Sequence, residues 1–585
     1  MSPTSRKPVT HSLSKGHGLG CRALGEGCPG LVCSGPDTVP SGMTADSRQV
    51  RPGDLFAALP GSRTDGRLFM DQALAQGAVA ILDDGTWSPE PAVAERVCRL
   101  VHPEPRQAWA RLAAAFFGHP ARALRTVGIT GTNGKTTVAA MVESILTVAG
   151  ERVGVLGTTG NRWPGMQQAA TMTTPNPVTL QSLLWDMQTA GCTASVMEVS
   201  SHALDQQRVA GICFDVGVFL NLTRDHLDYH GSEEAYFAAK LRLFQNGQTK
   251  HAVINRDDPH GAGVAGQCRM DGIPFVTFAA DSATRTILTT EKVGQDECPF
   301  RADSITTGWQ GTRFRMDTPA GELEINLPVA GYFNVANALA AAAAAWQLAL
   351  PLPVIREGLA RFIPPPGRMQ VIDQGQPFAV VVDFAHTPDA LERLLVTARQ
   401  MTPGRLIVLF GCGGERDKTK RAMMGRISAQ RADVTIVTDD NPRSEQPATI
   451  RRAILDGVAG AVADHEHFGH DHLVGHQRGL FKNGVQGAGS LAGPGQSPGG
   501  VWGEAPIDGR FPNSRKDDQG QHLCLEIGDR DQAIARAITL AKAGDAVLLA
   551  GKGHETSQIV AGQVLPFDDA EVARRHLRHR MDVLS

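Results

Sequence analysis

The stretch "VGITGTNGKTTVAAMV" at residues 127–142 decides the fold. "TVGIT" is apolar and β-rich, and "TVAAMVESILTVAG" has helical spacing. Between them lies a glycine-rich turn, Gly131-Thr132-Asn133-Gly134-Lys135-Thr136-Thr137. Strand, glycine turn and helix in that order make a phosphate cradle. Gly131 and Gly134 admit close backbone approach, so successive N–H groups face phosphate oxygens. Lys135 then reaches the terminal phosphates and Thr136 offers a hydroxyl to magnesium. The turn is a shorter variant of G-x-x-x-x-G-K-[ST], because the position five before Gly134 is Ile129, with Gly128 one residue earlier.

Outward from this turn, the apolar runs "RTVGIT", "RVGVLG", "ASVMEVS" and "VGVFLNL" alternate with helical stretches from about residue 123, which argues a doubly wound sheet with site residues at the strand ends. Before it, "MTADSRQVRPGDLFAALPGSRTDGRLFMDQALAQGAVAIL" mixes short apolar runs, a helical pattern and Pro-Gly turns, as in a small α/β domain over 43–122. After it, prolines 364–366 mark a hinge. A third, Rossmann-like βα series follows over 367–585, with strands "FAVVVDFA", "RLIVLFG", "DVTIVTD" and "DAVLLAGKG". The expected fold is thus α/β in three domains, with a central P-loop domain over 123–366.

Two segments fall outside this scheme. Residues 1–42 are glycine-rich without an apolar core segment and read as a loose leader, not a signal peptide. Residues 466–522 are rich in Gly, Pro and Ser and read as a disordered insertion or an out-of-frame stretch. The histidines at 465, 467, 470, 472 and 476 belong to a solvated loop in preference to a metal site.

The 585 residues carry a formal charge of -3 with 20% charged and 42% hydrophobic residues, which fits a soluble protein and gives no basic field for nucleic acid. Ten scattered cysteines without a C-x-x-C pair read as free thiols. No run is long enough to span a membrane, and the alanines of 338–346 suit a buried helix. A cytoplasmic monomer acting on small molecules is expected.

The chain also resembles the Mur ligases of cell-wall precursor synthesis. Besides "GITGTNGKTT" it carries "TTPNP", "MEVSSHAL", "NLTRDHLDYHG", "YFAAKLRLF", "GYFNVANALAA", "PPGRMQ", "VDFAHTPDAL", "FGCGGERDKTKR", "TDDNPRSE" and "AGKGHE", in the family's order. The resemblance covers residues 43–465 and 524–585. It implies an ATP- and Mg2+-dependent ligase that joins a carboxylate to an amine through an acyl phosphate. The implied reaction adds meso-2,6-diaminopimelate to UDP-N-acetylmuramoyl-L-alanyl-D-glutamate, with L-lysine as the alternative amine. The other alternative is a nucleotide-binding protein disabled by the insertion.

By resemblance, Glu198, His226 and Lys240 join Thr136 as magnesium ligands and, with Lys135, as catalytic groups. Lys240 would act as its carbamate. Read bare, Lys240 is a surface lysine, Glu198 a cap or surface acid and His226 a hydrogen-bonded loop residue. Asn334 and Arg368 either contact ATP or hold the hinge. For the UDP-sugar-peptide the family pattern maps onto Ser47, Ser62, Arg63, Thr64, Thr173, Thr174, Ser200, Gln206 and Arg208. Met172 stands where some relatives have asparagine.

In the third domain the pattern maps onto Arg416, Asp440, Asn441, Pro442, Arg443, Gly551 and Glu555. The Arg443 guanidinium suits the second carboxylate that distinguishes diaminopimelate from lysine, and Glu555 suits the adjacent ammonium. His386 and His554, at strand ends, read as orienting partners in preference to acid–base groups. Substrates on separate domains imply closure about the 364–367 hinge.

Overall fold

The structure is a computed structural model that describes residues 18–61, 64–280, 298–468 and 522–584. It comprises two compact units with the boundary between Gln370 and Val371. The first contains two sheets and the second a six-stranded sheet and a two-stranded hairpin, the α/β architecture expected.

The N-terminal sheet contains β1 (Val32–Ser34), β2 (Gly42–Thr44), β3 (Asp54–Ala57), β4 (Ala80–Asp83) and β5 (Cys98–Val101) in the order β1-β5-β4-β3-β2. All of β3 and β4 is buried, as parallel strands covered on both faces require. One expectation is corrected here. Residues 18–42 are not loose leader. They supply the helix Cys21–Gly25 and strand β1, which pairs antiparallel with β5. Cys21, Leu24 and Cys28 are buried against Leu55, Leu82 and Trp109. Their apolar side chains are spaced among glycines, which hid them from a reading based on long apolar runs.

The central sheet runs β16-β15-β14-β13-β12-β11-β6-β10-β7-β8-β9. Its strands are β6 (Arg125–Thr130), β7 (Val153–Gly157), β8 (Gly160–Trp163), β9 (Met166–Gln168), β10 (Ala194–Glu198), β11 (Phe214–Phe219), β12 (Thr249–Asn255), β13 (Phe275–Ala279), β14 (Phe300–Gly308), β15 (Gly311–Thr318) and β16 (Gly321–Leu327). The P-loop strand β6 lies between β10 and β11, parallel to both, with Glu198 beside Ile129 and Phe219 beside Thr130. The turns after these three strands therefore share one edge, where doubly wound sheets bind ligands. The alanine run lies in the buried helix Phe333–Gln347. Antiparallel additions at both ends, β8–β9 and β14–β16, extend the doubly wound core.

In the second unit the order is β17-β18-β22-β19-β20-β21, formed by β17 (Gln370–Val371), β18 (Ala379–Asp383), β19 (Leu406–Phe410), β20 (Val434–Val437), β21 (Leu523–Glu526) and β22 (Ala546–Ala550). From β18 to β21 every pairing is parallel. The turns after β18, β19, β20 and β22 therefore open at the same edge. A hairpin of β23 (Ser557–Val560) and β24 (Gln563–Pro566) follows β22.

Candidate active site

The glycine turn after β6 is built as a cradle. Gly134 sits at φ 92° as N-cap of the helix Lys135–Val148, and a Cβ there would come 2.6 Å from Asn337 Oδ1. Only glycine fits both demands. Asn221, from the turn after β11, braces the loop by accepting from the Thr132 and Asn133 amides at 3.0 and 2.9 Å and donating to the Asn133 carbonyl at 3.1 Å. Lys135 Nζ donates to the carbonyls of Gly131 and Thr132 at 2.7 and 3.0 Å. Burial lowers its pKa, Glu198 and Asp225 oppose that shift, and the Arg368 charge adds to it. Arg368 thus contributes positive potential beside the cradle. Asn334, 2% exposed, donates to the Ala330 carbonyl and accepts from Asn337, so it supports the residue packed on Gly134.

Glu198 ends β10 with 1% exposure. Its Oε2 accepts from Thr136 and Thr158 hydroxyls, each at 3.0 Å, and Oε1 accepts from the Thr158 amide at 2.9 Å. A Cβ on Gly157 would come 2.2 Å from Oε1, so β7 needs glycine to let the carboxylate pass. Thr136 and Glu198 thereby present hard oxygen donors beside the phosphate turn, the donor type magnesium takes. Among the described residues no three His, Cys, Asp or Glu side chains form a metal cage. Magnesium bound mostly through phosphate and water needs none.

Lys240 lies on the helix Glu233–Leu241, 1% exposed, its Nζ 4.6 Å from the Tyr236 ring centre. It is not the surface lysine its sequence context suggests. Burial first, then the Lys135 charge, holds its pKa well below the ordinary lysine value, against Asp225 and Asp258. His226, at φ 53°, packs edge-on against His202 with ring centres 4.8 Å apart. Desolvation lowers its pKa, as do His202, Lys135 and Lys240, while Asp225 opposes them. Asp225 therefore faces Lys135, Lys240 and His226 together, a counter-charge the sequence reading passed over.

Thr174 is fully buried and ties its loop to the end of β10. Its hydroxyl donates to the Glu198 carbonyl at 2.8 Å and accepts from the Ser200 amide at 3.0 Å. Ser200 caps the helix Ser201–Asp205 by accepting from the Ala203 amide at 3.2 Å. Thr173 Oγ1 is 3.2 Å from Thr158 Oγ1. Arg208 donates to Gln206 Oε1, to the Thr174 carbonyl at 2.8 Å and to Met172 Sδ at 3.3 Å. Met172 thus turns its sulfur to the guanidinium. In the N-terminal domain Ser47 donates to Gln72 Oε1 at 3.0 Å. Thr64 is exposed, and Ser62 and Arg63 lie outside the described residues.

The second unit gathers its candidates at its own strand ends. Asn441 Nδ2 donates to Glu555 Oε2 at 2.7 Å, linking the turn after β20 to that after β22. Lys552 Nζ, fully buried, lies 3.2 Å from Glu555 Oε2 and 3.7 Å from Asp440 Oδ1 and donates to the Ser557 carbonyl at 2.6 Å. Glu555 therefore already has a cation beside it, a partner the sequence reading missed. Burial raises the Asp440 pKa, opposed by Arg530 and Lys552. Arg443, at φ 54°, donates to the Gly414 carbonyl, and a Cβ on Gly413 would come 3.0 Å from Arg443 Nη1 and 3.7 Å from Arg416 Cγ. Gly551, at φ 109°, donates to the Asp383 carbonyl at 3.1 Å. His386 and His554 each pack against the Phe384 ring, with centres 4.4 and 5.1 Å apart and the planes tilted by 57° and 45°.

Comparison with known proteins matches the Mur ligase middle domain over residues 129–345, the Mur ligase, glutamate ligase domain over 367–473, and the Mur ligase family, catalytic domain over 40–117. The UDP-N-acetylmuramoyl-L-alanyl-D-glutamate–2,6-diaminopimelate ligase of Synechococcus elongatus is 41% identical, over 93% of this chain and 95% of its own. The chain belongs to the Mur ligase family. It is accordingly an ATP-dependent ligase.

Other Mur ligases agree. The Streptomyces coelicolor protein of the same name is 38% identical over 92% of each chain. A solved structure of a 2,6-diaminopimelate ligase is 31% identical with TM-score 0.60, covering 92% of this chain and 95% of its own. A MurF ligase from Thermotoga maritima, solved with ADP, is 17% identical with TM-score 0.52 and shares the fold. In Mur ligase terms, the first unit holds the phosphate turn with Glu198, and the second holds the Asn441–Glu555 link. Thr158, Asn221, Asp225 and Lys552 were missed because each acts through a contact between distant segments. Only the adjacency of Lys552 to a glycine turn hinted at its place.

Proposed function

We propose that this Mur ligase adds meso-2,6-diaminopimelate to UDP-N-acetylmuramoyl-L-alanyl-D-glutamate in cytoplasmic peptidoglycan precursor synthesis, converting ATP to ADP and phosphate. The observation that carries the reading is the link between the DNPR and GKGHE turns at Asn441–Glu555, with the Arg443 guanidinium and the Arg416 side chain close to Gly413. A guanidinium and a carboxylate on turns at the same strand edge suit the carboxylate and ammonium at the far end of diaminopimelate. The names of relatives near 40% identity support the same amine.

The D-glutamate side-chain carboxylate attacks the γ-phosphorus and the bond to ADP breaks. The amine then attacks the acyl carbon, phosphate leaves, and one proton is released. Both first reactants are anions, so their approach needs cations. Lys135 reaches the phosphates, and Arg368 adds charge beside it. Thr136, Glu198, His226 and carbamylated Lys240 would hold magnesium, which supplies further charge neutralisation when bound. Burial shifts Lys240 toward the neutral amine, the form that adds carbon dioxide with loss of one proton. Ser47, Ser62, Arg63, Thr64, Thr173, Thr174, Ser200, Gln206 and Arg208 would hold the UDP-sugar-peptide.

Phosphate release by the full chain with ATP, magnesium and UDP-N-acetylmuramoyl-L-alanyl-D-glutamate tests this reading. Release with diaminopimelate, with a product heavier by that residue, is expected. Release with L-lysine alone would overturn the role of Arg443.

A further inference from the structure

The sequence reading used the "RDHLDYH" turn only for His226, yet Tyr229 in the same turn occupies a junction of its own. It lies on the short helix Leu227–His230 with its side chain partly exposed. Its hydroxyl donates to Asp205 Oδ2 at 2.8 Å and accepts from Gln206 Nε2 at 3.1 Å. Both functions of the hydroxyl are therefore used, and they set the direction of the Gln206 amide. With its nitrogen held by Tyr229, Gln206 turns Oε1 to Arg208 and accepts from Nε at 3.2 Å and Nη2 at 2.8 Å. This leaves Arg208 Nη1 for the Thr174 carbonyl at 2.8 Å.

The acceptors that hold Arg208 are an amide oxygen, a backbone carbonyl and a thioether, all neutral. Arg106, from the helix Pro105–Phe116, adds a second positive charge nearby. A guanidinium fixed in direction but not neutralised is built for an anion from outside the chain. Behind Tyr229, His202 packs at 4.2 Å between ring centres and limits rotation of the phenol.

We propose that Tyr229 is a positioning residue for the UDP-peptide substrate, aiming the Gln206–Arg208 pair at its carboxylate or diphosphate. The inference rests on the substrate reading above. Because Tyr229 and His226 share one turn, seating the anion on Arg208 also steadies the segment that carries His226.

The test is steady-state kinetics of the full chain carrying Tyr229→Phe, which keeps the ring and removes only the hydroxyl. The KM for UDP-N-acetylmuramoyl-L-alanyl-D-glutamate should rise about fivefold to tenfold. The KM values for ATP and diaminopimelate, and Tm, should stay within about twofold and about 2 °C of wild type. Gln206→Ala should raise the same KM, and the double variant should add little to either single change, because the two act in one chain. An unchanged KM in Tyr229→Phe, additive effects in the double variant, or a fall in kcat with every KM unchanged would each overturn the proposal. Wild-type protein inert toward this substrate would instead remove the substrate reading, and the inference with it.

Discussion

The Thr136 hydroxyl donates to Glu198 Oε2 at 3.0 Å, so the residue after the P-loop lysine and the last residue of β10 form one unit. Neighbouring parallel strands make this possible by bringing Glu198 alongside Ile129. Glu198→Gln keeps the volume and removes the charge. It should lower kcat by about 10²–10³-fold, the scale of a lost charge-stabilising group, with Tm nearly unchanged. Phosphate release and a thermal scan on one preparation check both.

Lys240 has a folded pKa below its unfolded value. Between the two, the unfolded chain binds one more proton, so the lysine's contribution to stability falls as pH drops from its unfolded pKa of about 10.4 to the folded value. In protein depleted of carbon dioxide, Lys240→Met should therefore raise Tm at neutral pH and flatten its dependence on alkaline pH. The same variant should lose activity. Bicarbonate should restore the depleted wild type and leave Lys240→Met inert, as followed by phosphate release and by an acid-labile mass gain at Lys240.

Gly134→Ala places a Cβ 2.6 Å from Asn337 Oδ1 at a residue with φ 92°. The strain should cost about 1–3 kcal/mol of stability. Nucleotide affinity should fall more than tenfold, because the amides that face phosphate move with the turn. Titration calorimetry with ADP and a denaturant melt separate the two effects.

Lys552 is fully buried between Glu555 and Asp440. Lys552→Met leaves two carboxylates without their shared cation, at a cost of about 3–5 kcal/mol. The KM for diaminopimelate should rise at least tenfold while ADP binding stays as in wild type. A variant with normal diaminopimelate kinetics would show that the ammonium only fills space.

Much of the first unit was legible because local rules and tertiary demands coincide there. "RTVGIT" and "ASVMEVS" are strands, the turn between Thr130 and Lys135 is glycine-shaped, and the helix after it is apolar. Lys240 was legible only through resemblance, because helical spacing gives its side but not how deeply neighbouring elements bury it. In the antiparallel strands β15 and β16 buried Thr312, Phe314, Met316, Ile325 and Leu327 alternate with polar residues, a pattern passed over in favour of the longer apolar runs of the parallel core. Met172 marks a different limit, since its sulfur contact with Arg208 arises only when two loops converge.

The strand β1 has a practical consequence for expression. A version of the chain begun at Met43 would retain every motif of the ligase, yet β5 would lose its antiparallel neighbour and the core would lose Cys21, Leu24 and Cys28. The bared edge at Cys98–Val101 would offer unpaired backbone groups to another copy. Insoluble protein, with no catalytic group missing, is the outcome that such trimming invites.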